Sequence, residues 1–365
     1  MIDLSLLPDG GMPWLDASGP ASHLVLSTRI RLARNLETRP FNTRSSVEQR
    51  EAVLADVLAA ARDSVSLRDA LVFRLDRLGS ADRQVLHERH LISRELGGVV
   101  EGAPPGVRPA SAVLVQARAG VMVNEEDHLR LQGVRSGFDL EATYQDVDRV
   151  DSELGQRLPF AFHPEFGYLT SCPTNVGTGL RASVLIHLPG LVLTKEITKV
   201  LQGLAQVGLT FRGLYGEGSE VVGNFFQLSN QTTLGKTERE LLDHLAKMVR
   251  QVIEYEEQAR EVLLRDVPTI IEDKVWRAYA LLRYARSLSF EETMNLLSGV
   301  RLGVGLGLVD RCGLYALNKL LIHTQPAHLA ASAGVAQDDP ELNVRRARYV
   351  RGLLEDEAGR RGQSP

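Results

Sequence analysis

Cysteine is scarce in this chain, charge is nearly balanced, and long apolar runs are missing. Cys172 and Cys312 are the only cysteines among 365 residues, which excludes a framework of several disulfides and favours a reducing cytoplasm. Lys and Arg number 42 against 46 Asp and Glu, a net charge of −4, and this balance argues against general nucleic-acid binding. No stretch reaches the roughly 18 apolar residues of a membrane helix, and the first residues lack the basic start of a signal peptide. We therefore expect a cytoplasmic protein that binds neither membranes nor nucleic acid directly.

Hydrophobic periodicity divides the chain into an α+β part and an all-helical part. Up to about residue 265, short apolar runs alternate with helical patterns and predict a largely antiparallel sheet flanked by helices. Pro268 and the surrounding RDVPT sequence mark the boundary. We expect a lead-in over residues 1–22, an α+β domain over 23–265, a helical domain over 266–357 and a frayed tail over 358–365. Strands are predicted at residues 23–26, 111–116, 120–123, 183–188 and 225–228, and helices at 46–61, 141–158, 194–207, 237–265, 276–288, 290–297, 307–323 and 340–354.

A basic stretch, STRIRLARN at residues 27–35, places arginines at alternating positions. Alternate side chains of a strand face the same side, so Arg29 and Arg31 would point the same way. Like charges side by side repel each other. A bound polyphosphate would relieve the repulsion, because the guanidinium fork pairs well with phosphate oxygens. A solvated basic strand is the alternative interpretation.

Two further stretches combine charged or small residues. NEEDHLR, at residues 124–130, has three acids and a histidine directly after an apolar run. A polar loop or a metal site are its alternatives, although no second histidine lies nearby at ligand spacing. CPTNVGTGLR, at residues 172–181, is a small-residue loop whose backbone N–H groups can approach an anion, but it lacks the P-loop pattern. No histidine base flanks Cys172 in sequence, so a buried structural thiol is the alternative to a reactive one.

The fourth stretch is RGLYGEGSE, at residues 212–220, where glycines separate an arginine from a glutamate. This spacing suits a mobile loop that closes over a ligand, and a surface loop with a charge pair is the alternative. Five arginines can neutralise phosphates during phosphoryl transfer. Two glutamates suit a guanidinium acceptor, which carboxylates bind by paired hydrogen bonds. The residues concerned are Arg29, Arg31, Arg130, Arg181 and Arg212, together with Glu126 and Glu217.

These four stretches resemble the ATP:guanido phosphotransferase family, also called phosphagen kinases, which includes creatine and arginine kinases. NEEDHLR and CPTNxGTGLR are specific motifs of that family, and the resemblance covers the chain from about His23 to Lys247. Two features resemble the branch of bacterial protein arginine kinases. STRIR begins at residue 27, which leaves no room for the helical N-terminal domain of small-molecule guanidino kinases, and RGLYGEGSEVVGNFFQLSNQTTLGKTE has the form of the fourth motif in that branch. The helical C-terminal third also matches. The resemblance implies a phosphagen-kinase-like catalytic domain that transfers the γ-phosphoryl group of ATP to arginine side chains of proteins.

The resemblance also implies roles for individual residues. Glu126 and Glu217 would grip the acceptor guanidinium, and Cys172 would lie beside it as a thiolate. Free deprotonation of a guanidinium costs roughly 8–9 kcal/mol at neutral pH, so Glu126 would act as a base only while the N–P bond forms. Magnesium would be held mainly by the ATP phosphates and water, without a protein metal site. ATP would be held by Ser27, Thr28, Arg29, Ile30, Arg31, His90, Arg130, Arg181, Ala182, Ser183, Val184, Leu185, Arg212, Gly213, Leu214, Tyr215, Gly216 and Glu217, and Arg130, Arg181 and Arg212 would also assist catalysis.

Members of that branch often carry an RDxxRA stretch in the C-terminal domain, which binds phosphoarginine as a regulatory signal. Here residues 342–347 read LNVRRA, so Arg346 and Ala347 fit while Leu342 and Asn343 replace the leading Arg and Asp. An exposed basic helix face is the alternative interpretation.

The resemblance implies several partners in stress response and protein quality control. They are a second copy of the chain bound through the helical C-terminal third, a zinc-binding activator of the McsA type, and protein substrates such as heat-shock repressors or misfolded proteins marked for a Clp protease. Two other functions remain compatible with the sequence: a kinase for free arginine or another small guanidino compound, and a catalytically silent adaptor that binds phosphoarginine proteins.

Overall fold

The computed structural model of the chain describes residues 12–98, 108–213 and 221–361. One sheet of eight strands dominates the first part, and a two-stranded hairpin stands beside it. The strands are β1 (Val25–Arg34), β2 (Leu71–Arg74), β3 (Ala112–Val115), β4 (Ala119–Val123), β5 (Leu129–Ser136), β6 (Phe162–His163), β7 (Gly167–Tyr168), β8 (Leu180–His187), β9 (Leu209–Arg212) and β10 (Phe225–Asn230).

The order of strands in the large sheet is β2-β3-β4-β5-β1-β8-β10-β9. All seven pairings are antiparallel, which confirms the predicted α+β fold with a largely antiparallel sheet. The first long strand, β1, lies near the middle and pairs with β5 on one side and β8 on the other. Three of the four sequence stretches singled out above therefore meet in neighbouring strands.

The helices begin where the sequence supplies caps. Ser46 and Thr237 close capping boxes with Gln49 and Glu240, and such reciprocal bonds satisfy N–H groups that the helix itself cannot. Both predicted starts are thus confirmed. The helices are α1 (Val47–Asp63), α2 (Ser80–Glu88), α3 (Arg94–Gly97), α4 (Leu140–Gly155), α5 (Pro189–Leu193), α6 (Ile197–Gln206), α7 (Glu238–Asp266), α8 (Pro268–Tyr284), α9 (Phe290–Gly305), α10 (Leu314–His323), α11 (Pro326–Ala333) and α12 (Leu342–Arg361).

Two predicted helices begin several residues later in the structure than expected. The helix predicted at residues 194–207 begins only at Ile197, as α6, because Lys195 has φ 64°, a left-handed conformation that a right-handed helix does not continue through. The residues before it form a separate short helix, α5. The helix predicted at residues 307–323 begins only at Leu314, because Gly307 has φ 71° and ends the preceding α9. Positive φ at the end of a helix is the usual role of glycine.

The large sheet has an apolar face and a polar face. Ile30 and Leu32 on β1 are fully buried in a core shared with α1, α4, α6 and α7. Arg29 and Arg31, which alternate with them along the strand, point to the opposite face. At one end of that face, Phe225 joins a second core formed largely by α8, α9, α10 and α12. The C-terminal helices thus pack against one end of the polar face.

Within the described ranges, no helix is both long enough and apolar enough to cross a membrane.

Candidate active site

Three neighbouring strands bring four arginines onto the polar face. Arg31 on β1 lies directly opposite Arg181 on β8, and directly opposed residues of an antiparallel pair share a face. Arg29 shares that face by strand alternation. Arg130 on β5 lies opposite Ala33, which also has an odd number in β1, so the fourth arginine projects the same way. We call this surface the arginine face.

Other predicted ATP contacts lie on the arginine face as well. Ser27 pairs with Leu185, and Arg29 pairs with Ser183. Arg212, on β9, reaches the same face because its partner Gln227 is itself opposite Leu185. Arg212 is half-buried and Gly213 is buried. The predicted site residues Leu214, Tyr215, Gly216 and Glu217 lie outside the described residues.

Four of the predicted ATP contacts do not reach the arginine face. Ile30, Ala182 and Val184 are fully buried in the core on the other side of the sheet. Thr28 is buried as well, and its hydroxyl donates a hydrogen bond of 2.7 Å to the carbonyl of Gly137. The alternation of a strand explains the difference, since a contiguous run of residues cannot present all its side chains on one face.

The arginine face carries more positive than negative charge among the described residues. Arg29 donates from Nη2 to Oε1 of Gln132 at 2.6 Å, a neutral acceptor. Burial, followed by the charge of Arg130, lowers the pKa of Arg29 to about 10. Burial and the charges of Arg29, Arg130 and Arg181 hold the pKa of Arg31 well below its ordinary value. A low pKa of an arginine signals that the folded protein destabilises its charge.

Arg130 has two carboxylate partners at short range. Its Nη1 lies 2.5 Å from Oε1 of Glu125, and its Nη2 lies 3.2 Å from Oε2 of Glu126. The Glu125 side chain is 1% exposed and that of Glu126 is 39% exposed. Burial raises the pKa of Glu126 despite the opposing effect of Arg130. Glu125 is therefore a buried counter-ion of Arg130, whereas the carboxylate of Glu126 is accessible from outside.

The remaining residues of NEEDHLR connect the turn to its surroundings. Oδ1 of Asp127 accepts hydrogen bonds of 2.6 Å from Nδ2 of Asn35 and from the backbone N–H of Ser171. Nδ1 of His128 accepts from the N–H of Leu36 at 3.0 Å, and burial lowers the pKa of this histidine. Both side chains have structural partners. No group of three or more His, Cys, Asp and Glu residues that could hold a metal occurs in the described part of the chain.

The loop that carries Cys172 is attached to the acidic turn by the bond from Ser171 to Asp127. Cys172 is half-buried and unpaired, and its Sγ lies 3.0 Å from Oγ1 of Thr174. Gly177, with φ 113°, leaves no room for a side chain, because a Cβ atom there would lie 2.3 Å from the carbonyl oxygen of Thr233. The glycine therefore allows the loop to pack against the segment after β10. The bond from Ser171 to Asp127 thus joins the sequence neighbours of Cys172 and Glu126.

A cavity opens on the arginine face next to His90. Trp14 and His90 line it together with Ser27, Arg29 and Ser183, and the two rings meet edge to face with centroids 5.7 Å apart. Burial and the charge of Arg29 hold the pKa of His90 well below its ordinary value, so the ring is neutral. Trp14 and Gln132 were not predicted from sequence. Gln132 follows Arg130 by two positions, and strand alternation could have identified it.

A polyphosphate fits the arginine face. The Nε atoms of Arg29 and Arg31 are buried, and no described residue accepts a hydrogen bond from them. Buried donors without acceptors are costly, and phosphate oxygens supply both the acceptors and the negative charge that this surface lacks.

Arg346 and Ala347 lie away from this face, in α12. Arg346 is 2% exposed, and its guanidinium donates to the carbonyls of Thr324 and Leu288 and to Oδ1 of Asn343. Ala347 is fully buried. In this conformation the protein itself accepts hydrogen bonds from Nε and Nη1 of Arg346.

Two family models match consecutive segments of the chain. Residues 55–259 match the catalytic C-terminal domain of ATP:guanido phosphotransferases. Residues 268–364 match the C-terminal domain of the protein-arginine kinase McsB. The first match alone covers more than half of the chain.

Named relatives match almost the whole length. A protein-arginine kinase of Symbiobacterium thermophilum is 46% identical over 344 residues, which are 93% of this chain and 96% of the relative. A protein-arginine kinase of Brevibacillus brevis is 42% identical over 344 residues, 93% of this chain and 94% of the relative. Among solved structures, lombricine kinase superposes with a TM-score of 0.57 at 23% identity and 70% coverage of both chains. The substrate-free duplicated taurocyamine kinase from Schistosoma mansoni has a TM-score of 0.56 at 26% identity, covering 75% of this chain and 42% of that one.

Proposed function

Because the chain belongs to the ATP:guanido phosphotransferase family, in the branch of the protein-arginine kinases, we propose that it transfers the γ-phosphoryl group of ATP to guanidinium nitrogens of arginine side chains in proteins. The observation that carries the proposal is the arginine face itself, whose unbalanced positive charge lies directly beside the half-exposed carboxylate of Glu126. A protein acceptor is supported by the relatives, which match this chain through the helical C-terminal part as well as the sheet.

The nucleotide would bind along the arginine face. Arg29 and Arg31 would contact the phosphates, since their Nε groups are buried without described acceptors. Arg130, Arg181 and Arg212 would lie around the transferring phosphoryl group and stabilise the charge that it develops. The cavity that Trp14 and His90 line would hold the uncharged part of the nucleotide, because a neutral imidazole and an indole offer flat surfaces for stacking.

The acceptor guanidinium would lie at the edge of that face, between Glu126 and Cys172. As the N–P bond forms and the bond from the γ-phosphorus to the bridging oxygen breaks, Glu126 would take the proton that leaves the nitrogen. Its raised pKa makes it a better base than a fully exposed carboxylate. Glu217 would fix the plane of the guanidinium. Glu125 would keep Arg130 in place and Asp127 would hold the Cys172 loop, so neither needs to touch a substrate.

When bound, Mg²⁺ would neutralise part of the phosphate charge, held by the nucleotide and water.

Further features of the proposal concern the whole protein. We place the catalytic domain at residues 23–265 and a helical dimerisation and substrate domain at residues 266–357, in a cytoplasmic enzyme. Exposed apolar side chains on α8, including Ile270 at 65% and Tyr284 at 69% exposure, support a homodimer contact there. A McsA-type activator and delivery of the labelled proteins to a Clp protease would complete the role in protein quality control.

A phosphoryl-transfer assay with labelled ATP and magnesium tests the activity. An unfolded arginine-rich protein and free L-arginine are offered in parallel, and acid-labile label is counted on each. Glu126→Gln should lower turnover at least 100-fold, because general base catalysis contributes about that factor or more. Glu261→Gln, at an exposed carboxylate on α7, is the matched control and should keep normal turnover.

The distribution of the label decides between the candidate functions. Label on the protein alone establishes a protein arginine kinase, whereas label on free arginine alone establishes a small-molecule kinase. Binding of ATP without transfer to either acceptor leaves an activator requirement, which adding an activator tests directly, or a silent adaptor. Normal turnover of Glu126→Gln would refute the role of that carboxylate.

A further inference from the structure

A histidine in the C-terminal helices is bound at both ring nitrogens by the end of α2. Nδ1 of His328 lies 2.8 Å from Oε2 of Glu88, and Nε2 lies 2.7 Å from Nε of Arg89. The side chain of His328 is 4% exposed and that of Glu88 is 12% exposed. Because the arginine can only donate, Nε2 of His328 accepts a hydrogen bond from Arg89. Nδ1 of His328 therefore carries the ring proton and donates a hydrogen bond to Glu88. This set of contacts fixes one orientation of the ring.

Glu88 also caps α11, although the two are far apart in sequence. Its two carboxylate oxygens accept 2.8 Å hydrogen bonds from the backbone N–H groups of Ala327 and His328. Such bonds satisfy donors that the first turn of a helix leaves open, and a negative charge there is favourable. The end of α2 and the start of α11 are therefore joined by three bonds to one carboxylate.

His90 follows this junction by only two residues. The N–H of His90 bonds to the carbonyl of His87 at 2.8 Å, and that of Leu91 bonds to Leu86 at 3.0 Å. This pattern is a Schellman motif, in which His90 occupies the left-handed position with φ 59°, where glycine is the usual residue. A histidine is less favourable than glycine in that conformation, because its Cβ crowds the following carbonyl oxygen. Strain of this kind persists only where neighbouring structure holds it.

From His90 the contacts continue into the arginine face. Its carbonyl accepts a hydrogen bond of 2.9 Å from Nε2 of Gln132, and Oε1 of Gln132 accepts one of 2.6 Å from Nη2 of Arg29. A continuous series of polar contacts thus leads from His328, through the end of α2, to an arginine that would contact the phosphates.

The segment that carries Trp14, which also lines the cavity, is hydrogen-bonded to the C-terminal helices as well. Trp14, which touches the ring of His90, precedes Leu15, whose carbonyl accepts 2.8 Å from Nδ2 of Asn318 on α10. Oδ1 of Asn318 accepts in turn from Arg301 at 2.6 Å. The segments that carry His90 and Trp14, which line the proposed nucleotide cavity, are therefore both held by elements of the helical part.

We propose that His328 is a positioning residue for nucleotide binding, which holds His90 in its left-handed conformation through Glu88 and Arg89. The inference rests on the proposed function, since it assigns the cavity beside His90 to the nucleotide. In this proposal the contacts of α11 influence the affinity for ATP, although α11 itself does not contact the nucleotide. The helical part can then adjust the affinity for ATP without altering the residues that perform the transfer.

The test compares His328→Ala with His328→Asn in the full-length protein. Asparagine retains a donor near the position of Nδ1 and can keep the bond to Glu88, whereas alanine loses both ring contacts. His328→Ala should raise the Kd and the KM for ATP about tenfold and leave kcat at saturating ATP within about twofold. His328→Asn should recover most of the affinity. His323→Phe, in the same helical part with its ring 5.6 Å from that of His328, is the matched control and should bind ATP normally.

Direct ATP binding by calorimetry separates this inference from the proposed function. If the unmodified protein binds ATP and His328→Ala binds it equally well, the positioning role is refuted while the kinase proposal stands. If the unmodified protein binds no ATP, both fail. A fall in kcat with an unchanged KM for ATP would also refute the role. If His328→Ala does not fold, Glu88→Gln weakens the same junction, because it replaces one of the two oxygen acceptors with an NH2 donor, and it should raise the Kd for ATP with an unchanged kcat.

Discussion

Replacement of Arg31 by methionine should stabilise the protein in the absence of nucleotide and abolish nucleotide binding. Arg31 has like-charged neighbours along its own strand, Arg29, and directly across from it, Arg181. At an effective dielectric constant of about 20 and a separation of about 7 Å, each repulsion amounts to roughly 2.4 kcal/mol. Screening at physiological salt reduces each to about 1 kcal/mol. Methionine keeps much of the apolar stem, so the expected gain is about 1–2 kcal/mol.

Thermal unfolding with and without ATP measures both effects. The variant should melt roughly 2–4 °C above the unmodified protein without nucleotide. ATP at about 100 times its Kd should stabilise the unmodified protein by about 2.7 kcal/mol and the variant hardly at all. Arg135→Met is the matched control on β5, because Arg135 has a carboxylate partner, Asp146, at 2.7 Å. That variant should be neutral or slightly destabilised and should keep the response to ATP.

The reasoning fails if Arg31→Met melts below the unmodified protein without nucleotide. Such a result would mean that Arg31 contributes net stabilisation to the folded protein without nucleotide. An unchanged response of the variant to ATP would instead remove Arg31 from the nucleotide site.

Three further predictions concern single residues. Asp151→Ala should cost about 3–5 kcal/mol in denaturant unfolding, because it leaves the guanidinium of Arg34, 2% exposed and 2.8 Å from Asp151, buried without its counter-ion; a loss below 1 kcal/mol would contradict this. Burial and nearby cations lower the pKa of His323 to about 4, so its contribution to stability is complete above its unfolded pKa near 6.5 and is lost as the pH falls from there toward 4. His323→Phe should therefore reduce the drop in melting temperature between pH 7 and 4, and parallel pH profiles would argue against it. His90→Gly should change stability by less than about 1 kcal/mol, because relief of the left-handed strain offsets the lost ring contact, but should weaken ATP binding about tenfold; equal ATP binding would exclude the ring from the site.

Strand alternation made part of the site predictable from sequence. The STRIR stretch contains enough information to place Arg29 and Arg31 on one face, and the structure agrees. The predicted ATP contacts also include Thr28 and Ile30, which are buried on the other side of the sheet. Family motifs are contiguous in sequence, whereas a strand presents only every second side chain to a ligand.

Other elements of the structure have a local sequence pattern that is too weak to predict them. β5 was not predicted, because LRLQGVRS mixes apolar residues with the polar residues of the arginine face and contains Gly133. That glycine is explained only by tertiary packing, since a Cβ atom there would lie 2.7 Å from Cγ2 of Val147. The same holds for Trp14, which reaches the cavity from the start of the chain. No local sequence pattern indicates which distant segment of the chain will pack on a given face of the sheet.

The central strand has a consequence for how this gene can change. Ile30 and Leu32 serve the core while Arg29 and Arg31 serve the arginine face. Deletion or insertion of one codon within β1 would exchange the two sets and force guanidinium groups into the apolar core, because the side-chain period of a strand is two. Length variation is therefore expected to be absent from this strand and concentrated in the connecting loops. Single substitutions can alter the site one residue at a time, but the number of residues in β1 has to stay constant.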